Sequence, residues 1–324
     1  MAARASDEAK LVPARQIPIP DYLSEAARAC LSSPLIHDIP FPAADDTAGW
    51  HRHIAAMEAA IMAAISGGPQ VKPIEMSLRD AGGVRVFDIL PSSAAPDARG
   101  VILETHGGAL ILGGGDACRV NACAFAERMQ RRVWAVDYRM PPDHPFPAPL
   151  DDCVAAYRAL LEEYPAQEVF VSGMSAGGNL AAALILRARD EGLPLPSGAI
   201  LLTPEVDLTE SGDSVNTNAG VDTVPASLLA VNLLYAAGHN LADPYLSPLF
   251  GDFGKGFPPT ILTAGTRDIF LSNTVRMHRA LRRAAVEAEL HIIDACGHVQ
   301  FPHSPEEAEI DGEIRRFIAR VLEE

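Results

Sequence analysis

Apolar residues cluster in this chain with two different rhythms. Four short apolar runs stand out: Val101–Thr105, Arg132–Val136, Glu168–Ser172 and Gly198–Leu202. Runs of this length, bounded by turn residues, predict strands buried on both faces. Stretches with helical spacing separate them, at roughly 117–130, 149–164 and 176–191. Two more strands are expected at Thr260–Thr263 and Glu289–Ile293, followed by helices at roughly 271–285 and 305–322. Strands alternating with helices predict βαβ units and a mostly parallel sheet. Residues 74–80 and 83–90 instead alternate polar and apolar around Ala81-Gly82-Gly83, which predicts an antiparallel pair at one edge.

Two segments break the alternation. Residues 1–17 read as a flexible polar tail, and residues 16–70 carry helical signals between prolines. Within them Trp50, Ile54, Met57 and Ile61 share one helix face, with Asp46 and Thr47 as caps before it. Residues 207–250 are too long for a plain loop and contain an apolar helical run, 226–235, which predicts an insertion above the sheet.

Composition narrows the class. The 324 residues are 48% hydrophobic and 21% charged, as in an ordinary globular protein. The net charge of -16 repels phosphate backbones, so no nucleic-acid partner is expected. No apolar run is long enough for a membrane span, and the charged N-terminus does not resemble a secretory signal, which predicts a cytoplasmic protein. Cys30, Cys118, Cys123, Cys153 and Cys296 are scattered and odd in number, so neither a disulfide framework nor a zinc site is expected.

The chemistry concentrates at Gly173-Met174-Ser175-Ala176-Gly177, between a predicted strand and a predicted helix. This G-x-S-x-G pattern in that context predicts a nucleophile elbow, in which small neighbours let the chain turn tightly and lift the serine hydroxyl above the sheet. A serine needs a base, and the base needs an orienting acid. In chain order the acid precedes the histidine. His298 lies just past the last strand and is the expected base, with His303 its nearest rival. Asp268, past strand 260–263, is the expected acid, with Glu205 and Asp207 as rivals. His106-Gly107-Gly108-Ala109 follows strand 101–105, and the N–H groups of Gly107, Gly108 and Ala176 are the expected oxyanion donors. A phosphate loop at this glycine-rich stretch is disfavoured, because it lacks both the Gly-Lys-Ser/Thr ending and the G-x-G-x-x-G spacing. Trp50, Ile54, Met174, Leu228 and Val299 are expected to contact substrate.

Taken together these motifs resemble the bacterial hormone-sensitive-lipase-like esterases from residue 74 to the end. His106-Gly107-Gly108-Ala109 resembles the HGGG oxyanion motif, the segment 138–147 resembles Y-R-x-A-P-E-H-x-F-P, and 173–178 resembles G-D-S-A-G-G. The resemblance implies an α/β-hydrolase fold with a mostly parallel eight-stranded sheet. It implies a helical cap from residues 18–70 and 207–250 over a catalytic domain of 71–206 and 251–324. It also implies hydrolysis of a small-molecule ester or lactone without metal or cofactor, and a homodimer. Ala109 departs from the fourth glycine, Met174 from the aspartate, and Val299-Gln300 from the small residues after the histidine. A lactonase, an amidase and a non-catalytic receptor on the same scaffold are the alternatives.

Overall fold

A computed structural model describes residues 12–32, 40–66, 72–225 and 227–323. The first eleven residues of the expected tail lie outside the described residues, as do 33–39 and 67–71. Eight strands form one sheet: β1 (Glu75–Asp80), β2 (Arg85–Leu90), β3 (Val101–Thr105), β4 (Arg132–Asp137), β5 (Val169–Met174), β6 (Gly198–Leu202), β7 (Thr260–Gly265) and β8 (Ala288–Ile293). Their spatial order is β1-β2-β4-β3-β5-β6-β7-β8. The first two strands pair antiparallel and β2 joins β4 antiparallel, whereas all later pairings are parallel. The turn at 81–83 is wider than its sequence suggests, because Gly82 and Gly83 both take positive φ and β2 begins only at Arg85.

Burial explains why the inner strands read as unbroken apolar runs. Every residue of β3, β6 and β7 is buried, whereas the edge strands β1 and β8 are largely exposed or half-buried. Helices α3 (Asp116–Met129) and α9 (Pro305–Glu323) cover one face of the sheet. Helices α4 (Ala148–Glu163), α5 (Ala176–Asp190) and α8 (Leu271–Arg283) cover the other. Helix α5 is almost wholly buried, from Ala176 to Ala188, and forms the centre of that layer.

The remaining helices lie outside these layers. They are α1 (Glu25–Leu31), α2 (Thr47–Ser66), α6 (Ser214–Thr217) and α7 (Leu229–Ala236). Asp46 caps α2, accepting the Gly49 N–H at 2.8 Å, and Thr47 is already its first residue. The apolar face of α2 is where its spacing puts it. Trp50 is buried with Ile111, Leu112 and Val231, and Ile54, Met57 and Ile61 pack around them. Glu58 on α2 accepts the Gly113 N–H at 2.6 Å. The N-terminal segment is therefore tied to the loop after β3 by both apolar and polar contacts. Helix α7 begins at Leu229, later than the apolar run suggests, and Ala226 lies outside the described residues.

Leu184 on α5 has no accessible surface and sits within the larger core. Truncation to alanine leaves a cavity in a layer that cannot collapse freely. Leu184→Ala is expected to lower unfolding stability by about 2–5 kcal/mol, read from the midpoint of chemical denaturation.

Candidate active site

Four loops meet beyond the carboxyl ends of parallel strands, where open α/β sheets place their ligand sites. The loop after β5 carries Ser175, that after β7 carries Asp268, that after β8 carries His298, and that after β3 carries Gly107 and Gly108. Ser175 takes φ 58° and ψ -124°, a conformation disfavoured for any side chain. The turn closes only because positions 173 and 177 lack side chains. A Cβ on Gly173 would lie 2.2 Å from Gly177 O, and one on Gly177 would lie 1.9 Å from Thr105 O. Ser175 N–H donates to Leu202 O at 2.9 Å, which anchors the turn to β6.

The structure brings three of the expected residues into one chain of contacts. Ser175 Oγ lies 2.8 Å from His298 Nε2, and His298 Nδ1 lies 3.2 Å from Asp268 Oδ1. All three side chains are buried, Asp268 completely. Asp268 Oδ1 also accepts the Phe270 N–H at 2.8 Å, and the Phe270 ring packs edge-on against the imidazole with centroids 4.9 Å apart. Burial lowers the affinity of His298 for a proton. The charge and hydrogen bond of Asp268, joined by Asp222 and Glu205, outweigh it and hold the imidazole above its ordinary pKa.

The rival residues are engaged elsewhere. Asp207 accepts the hydroxyls of Thr209 and Ser211 and pairs with Arg276. Glu205 is fully buried, and its Oε1 accepts from Asn232 Nδ2 at 3.0 Å. Burial pushes its carboxyl up to about 8. His303 lies in the loop before α9, its backbone N–H donating to Glu307 Oε2 at 2.6 Å.

The loop after β3 is rigid. His106 stacks on Tyr138 with ring centroids 4.0 Å apart, and Tyr138 Oη donates to His106 O at 2.7 Å. Burial pulls the His106 imidazole down to about 4, so it is neutral near pH 7, its Nδ1–H donating to Gly107 O at 2.8 Å. Ala109 and Leu110 both take positive φ, so the loop keeps a glycine-like course where the fourth glycine of HGGG is absent. A Cβ on Gly107 would lie 3.6 Å from Ser175 Cβ, which places this loop directly against the Ser175 turn. The N–H groups of Gly107, Gly108 and Ala176 donate to no other group among the described residues.

The expected substrate contacts divide. Leu228 packs against Ile269 and Phe270, beside Asp268 and His298. Val299 follows His298 directly and is 46% exposed, free to meet a ligand. Met174 packs on the α3–α9 side of the sheet. Trp50 has no accessible surface, and its indole N–H donates to Ala43 O at 3.1 Å, so it braces the loop after β3 from behind. Ile54 lines a shallow groove of about 430 Å³ with His51, Met140 and Asp143, and that groove includes none of Ser175, Asp268 and His298. Sequence reasoning missed Phe270 and Asp222. Phe270 was within reach, two residues past the acid. Asp222 sits in an irregular stretch that offers no periodicity.

One group of metal-ligand type occurs among the described residues: His106, Cys118 and Asp137. Asp137 is already held by Gly115 N–H and Arg85, and the Cys118 thiol faces Val136 O. The five cysteines are unpaired.

Comparison with known proteins places the chain in a family. Residues 102–302 match a family model described as alpha/beta hydrolase fold. An esterase from Acinetobacter venetianus is 34% identical over 231 residues, covering 69% of this chain and 72% of that protein. The crystal structure of an esterase, E25, superposes with a TM-score of 0.87 at 32% identity, covering 96% of this chain and 98% of its own. A hormone-sensitive lipase from a metagenome library superposes with a TM-score of 0.76 at 33% identity, covering 83% and 91%. Fold and site together define a hydrolase of the esterase class. The chain belongs to the alpha/beta hydrolase fold family, among its hormone-sensitive-lipase-like esterases.

Two outcomes follow from this site's strain and burial. Ser175→Gly relieves the disfavoured turn and is expected to raise stability by about 1–2 kcal/mol in chemical denaturation while abolishing any reaction at the hydroxyl. Glu205 carries a folded-state pKa raised to about 8, above its unfolded value, so its ionisation opposes folding increasingly as pH climbs from about 4.5 to 8. Glu205→Gln should therefore flatten the decline of thermal stability across that window, by up to roughly 1.4 kcal/mol per pH unit, measured by scanning calorimetry at successive pH values.

Proposed function

We propose that this protein is a serine carboxylic-ester hydrolase for small to medium acyl esters, working through an acyl-enzyme on Ser175. The 2.8 Å approach of the Ser175 hydroxyl to the His298 imidazole, with Asp268 behind it, carries this reading. As Ser175 Oγ bonds to the ester carbonyl carbon, its proton passes to His298 Nε2. Asp268 holds the Nδ1–H tautomer and stabilises the imidazolium. The carbonyl oxygen becomes an oxyanion, received by the N–H groups of Gly107, Gly108 and Ala176. Collapse breaks the bond to the alcohol oxygen, which takes the proton from His298. Water then gives its proton to His298, attacks the acyl carbon and releases the acid, returning the proton to Ser175.

Residues 18–70 and 207–250 act as a cap over a catalytic domain of 71–206 and 251–324. Packing of α2 against Ile111, Leu112 and α7 supports this division. In this reading Leu228 and Val299 meet the substrate directly, and Trp50 acts through the loop it braces. Met174, packed toward α3 and α9, and Ile54, in a separate groove, have no direct part in substrate contact. No metal or cofactor enters the scheme. His106 and Asp137 are engaged with the loop after β3, and the Cys118 thiol faces Val136 O.

Aryl esters of graded acyl length and several lactones, assayed with wild type and Ser175→Ala, provide the test. The variant should lose roughly 10⁴-fold or more in kcat/KM. A fluorophosphonate should label wild type at residue 175 alone. Wild-type turnover by Ser175→Ala would remove the nucleophile and the reading with it. Faster turnover of lactones than of open esters would redirect it to lactone hydrolysis.

A further inference from the structure

Asp222 belongs to neither of the loops that carry the acid and the base, yet it touches both. Its Oδ1 accepts the His298 backbone N–H at 2.9 Å, and its Oδ2 accepts the Ile269 N–H at 2.8 Å. Ile269 is the residue after Asp268. Asp222 is 2% exposed, so these bonds are shielded from water. Its own turn is fixed to the acid loop a second time, because Asn218 Nδ2 donates to Asp268 O at 2.8 Å and Asn218 O accepts the Asp222 N–H at 3.0 Å. The residue before the base makes room for it. A Cβ on Gly297 would lie 2.7 Å from Asp222 Oδ1. Gly297 has no positive φ among the described residues, so close approach, not backbone freedom, explains the glycine.

The bases of the two loops are joined independently of Asp222. Thr266 N–H donates to Ile293 O at 3.0 Å and Arg267 N–H donates to Cys296 O at 2.9 Å. Their tips, where Asp268 and His298 sit, have no such backbone bond between them among the described residues. We propose that Asp222 is a positioning residue for the hydrolytic reaction: its carboxylate clamps the tips of the acid and base loops, setting imidazole against carboxylate, and thereby makes the 207–250 insertion part of the catalytic apparatus. The inference rests on the triad reading given above. Both oxygens accept N–H donors, an arrangement suited to the ionised form. The ionisable groups facing the His298 imidazole are Asp268 after β7, Asp222 in the insertion and Glu205 after β6, all acidic. The negative charge at 222 therefore favours protonated His298, and its removal should make the base titrate lower.

Asp222→Asn keeps the shape, removes the charge and turns an NH₂ toward one of the two amides. Its kcat should fall roughly 10- to 100-fold with KM nearly unchanged. The acid limb of kcat/KM should move down by about one pH unit. Asp222→Glu retains the charge but displaces the clamp, so kcat should stay low while the acid limb returns to the wild-type position. Gly297→Ala should behave like Asp222→Glu, and it carries the test if the Asp222 variants do not fold. A purely structural role would lower unfolding midpoints and leave kcat and the acid limb of folded enzyme at wild-type values, which overturns the proposal. Ser175→Ala, assayed in parallel, separates the two readings. If it remains active the triad assignment fails. If it is dead while the Asp222 and Gly297 variants match wild type, only the clamp fails.

Discussion

The distance between helix α5 and strand β3 governs the site. Gly177 O lies 2.7 Å from Thr105 Oγ1, and no atom larger than hydrogen fits on Gly177 without striking Thr105 O. That contact draws the start of α5 beneath the end of β3. The strained turn at Ser175 is the consequence, because strand β5 must enter a helix that begins too close for an ordinary loop. The same contact brings the loop after β3 alongside the hydroxyl. The Ser175 hydroxyl and the amides of the 107–108 loop are thus placed by one backbone-on-backbone approach, before any side-chain contact is considered. The cost of the strain is spread over the most completely buried helix in the fold.

Around that fixed point the electrostatics are set by burial. Three carboxyl groups surround one imidazole, and each is treated differently. Asp268 accepts from His298 and from a backbone amide. Asp222 is held by backbone amides. Glu205, with one amide partner and an Oε2 that has none among the described residues, is held largely protonated near neutrality. The result is a His298 imidazole with a raised proton affinity, set by the acidic groups around it. Residues 207–250 thus supply Asp222 to this ring and Asn232 to Glu205.

Much of the fold was legible because its inner strands are buried on both faces. Val101–Thr105 and Gly198–Leu202 appear in the chain as unbroken apolar runs, and their bounds agree with β3 and β6. The Ser175 turn was legible because sterics restrict positions 173 and 177 to glycine. Asp268 and His298 stood out through topology, each just past a strand end. What escaped was whatever depends on contacts between distant irregular segments. Asp222 meets His298 across 76 residues of chain with no periodic signal around it. The helical spacing of Trp50 marks an apolar face, but spacing alone does not distinguish a wall residue from one sealed behind the wall. Ile54, on the same face, opens instead to a groove away from Ser175.

The stacked pair of His106 and Tyr138 has a consequence for how such a catalyst responds to acidity. Its imidazole is neutral well below neutrality and already bonded through Nδ1. The amide donors beside it therefore keep their arrangement while a second imidazole titrates. In the proposed reading, acid therefore acts on the site through His298 before it disturbs the loop after β3.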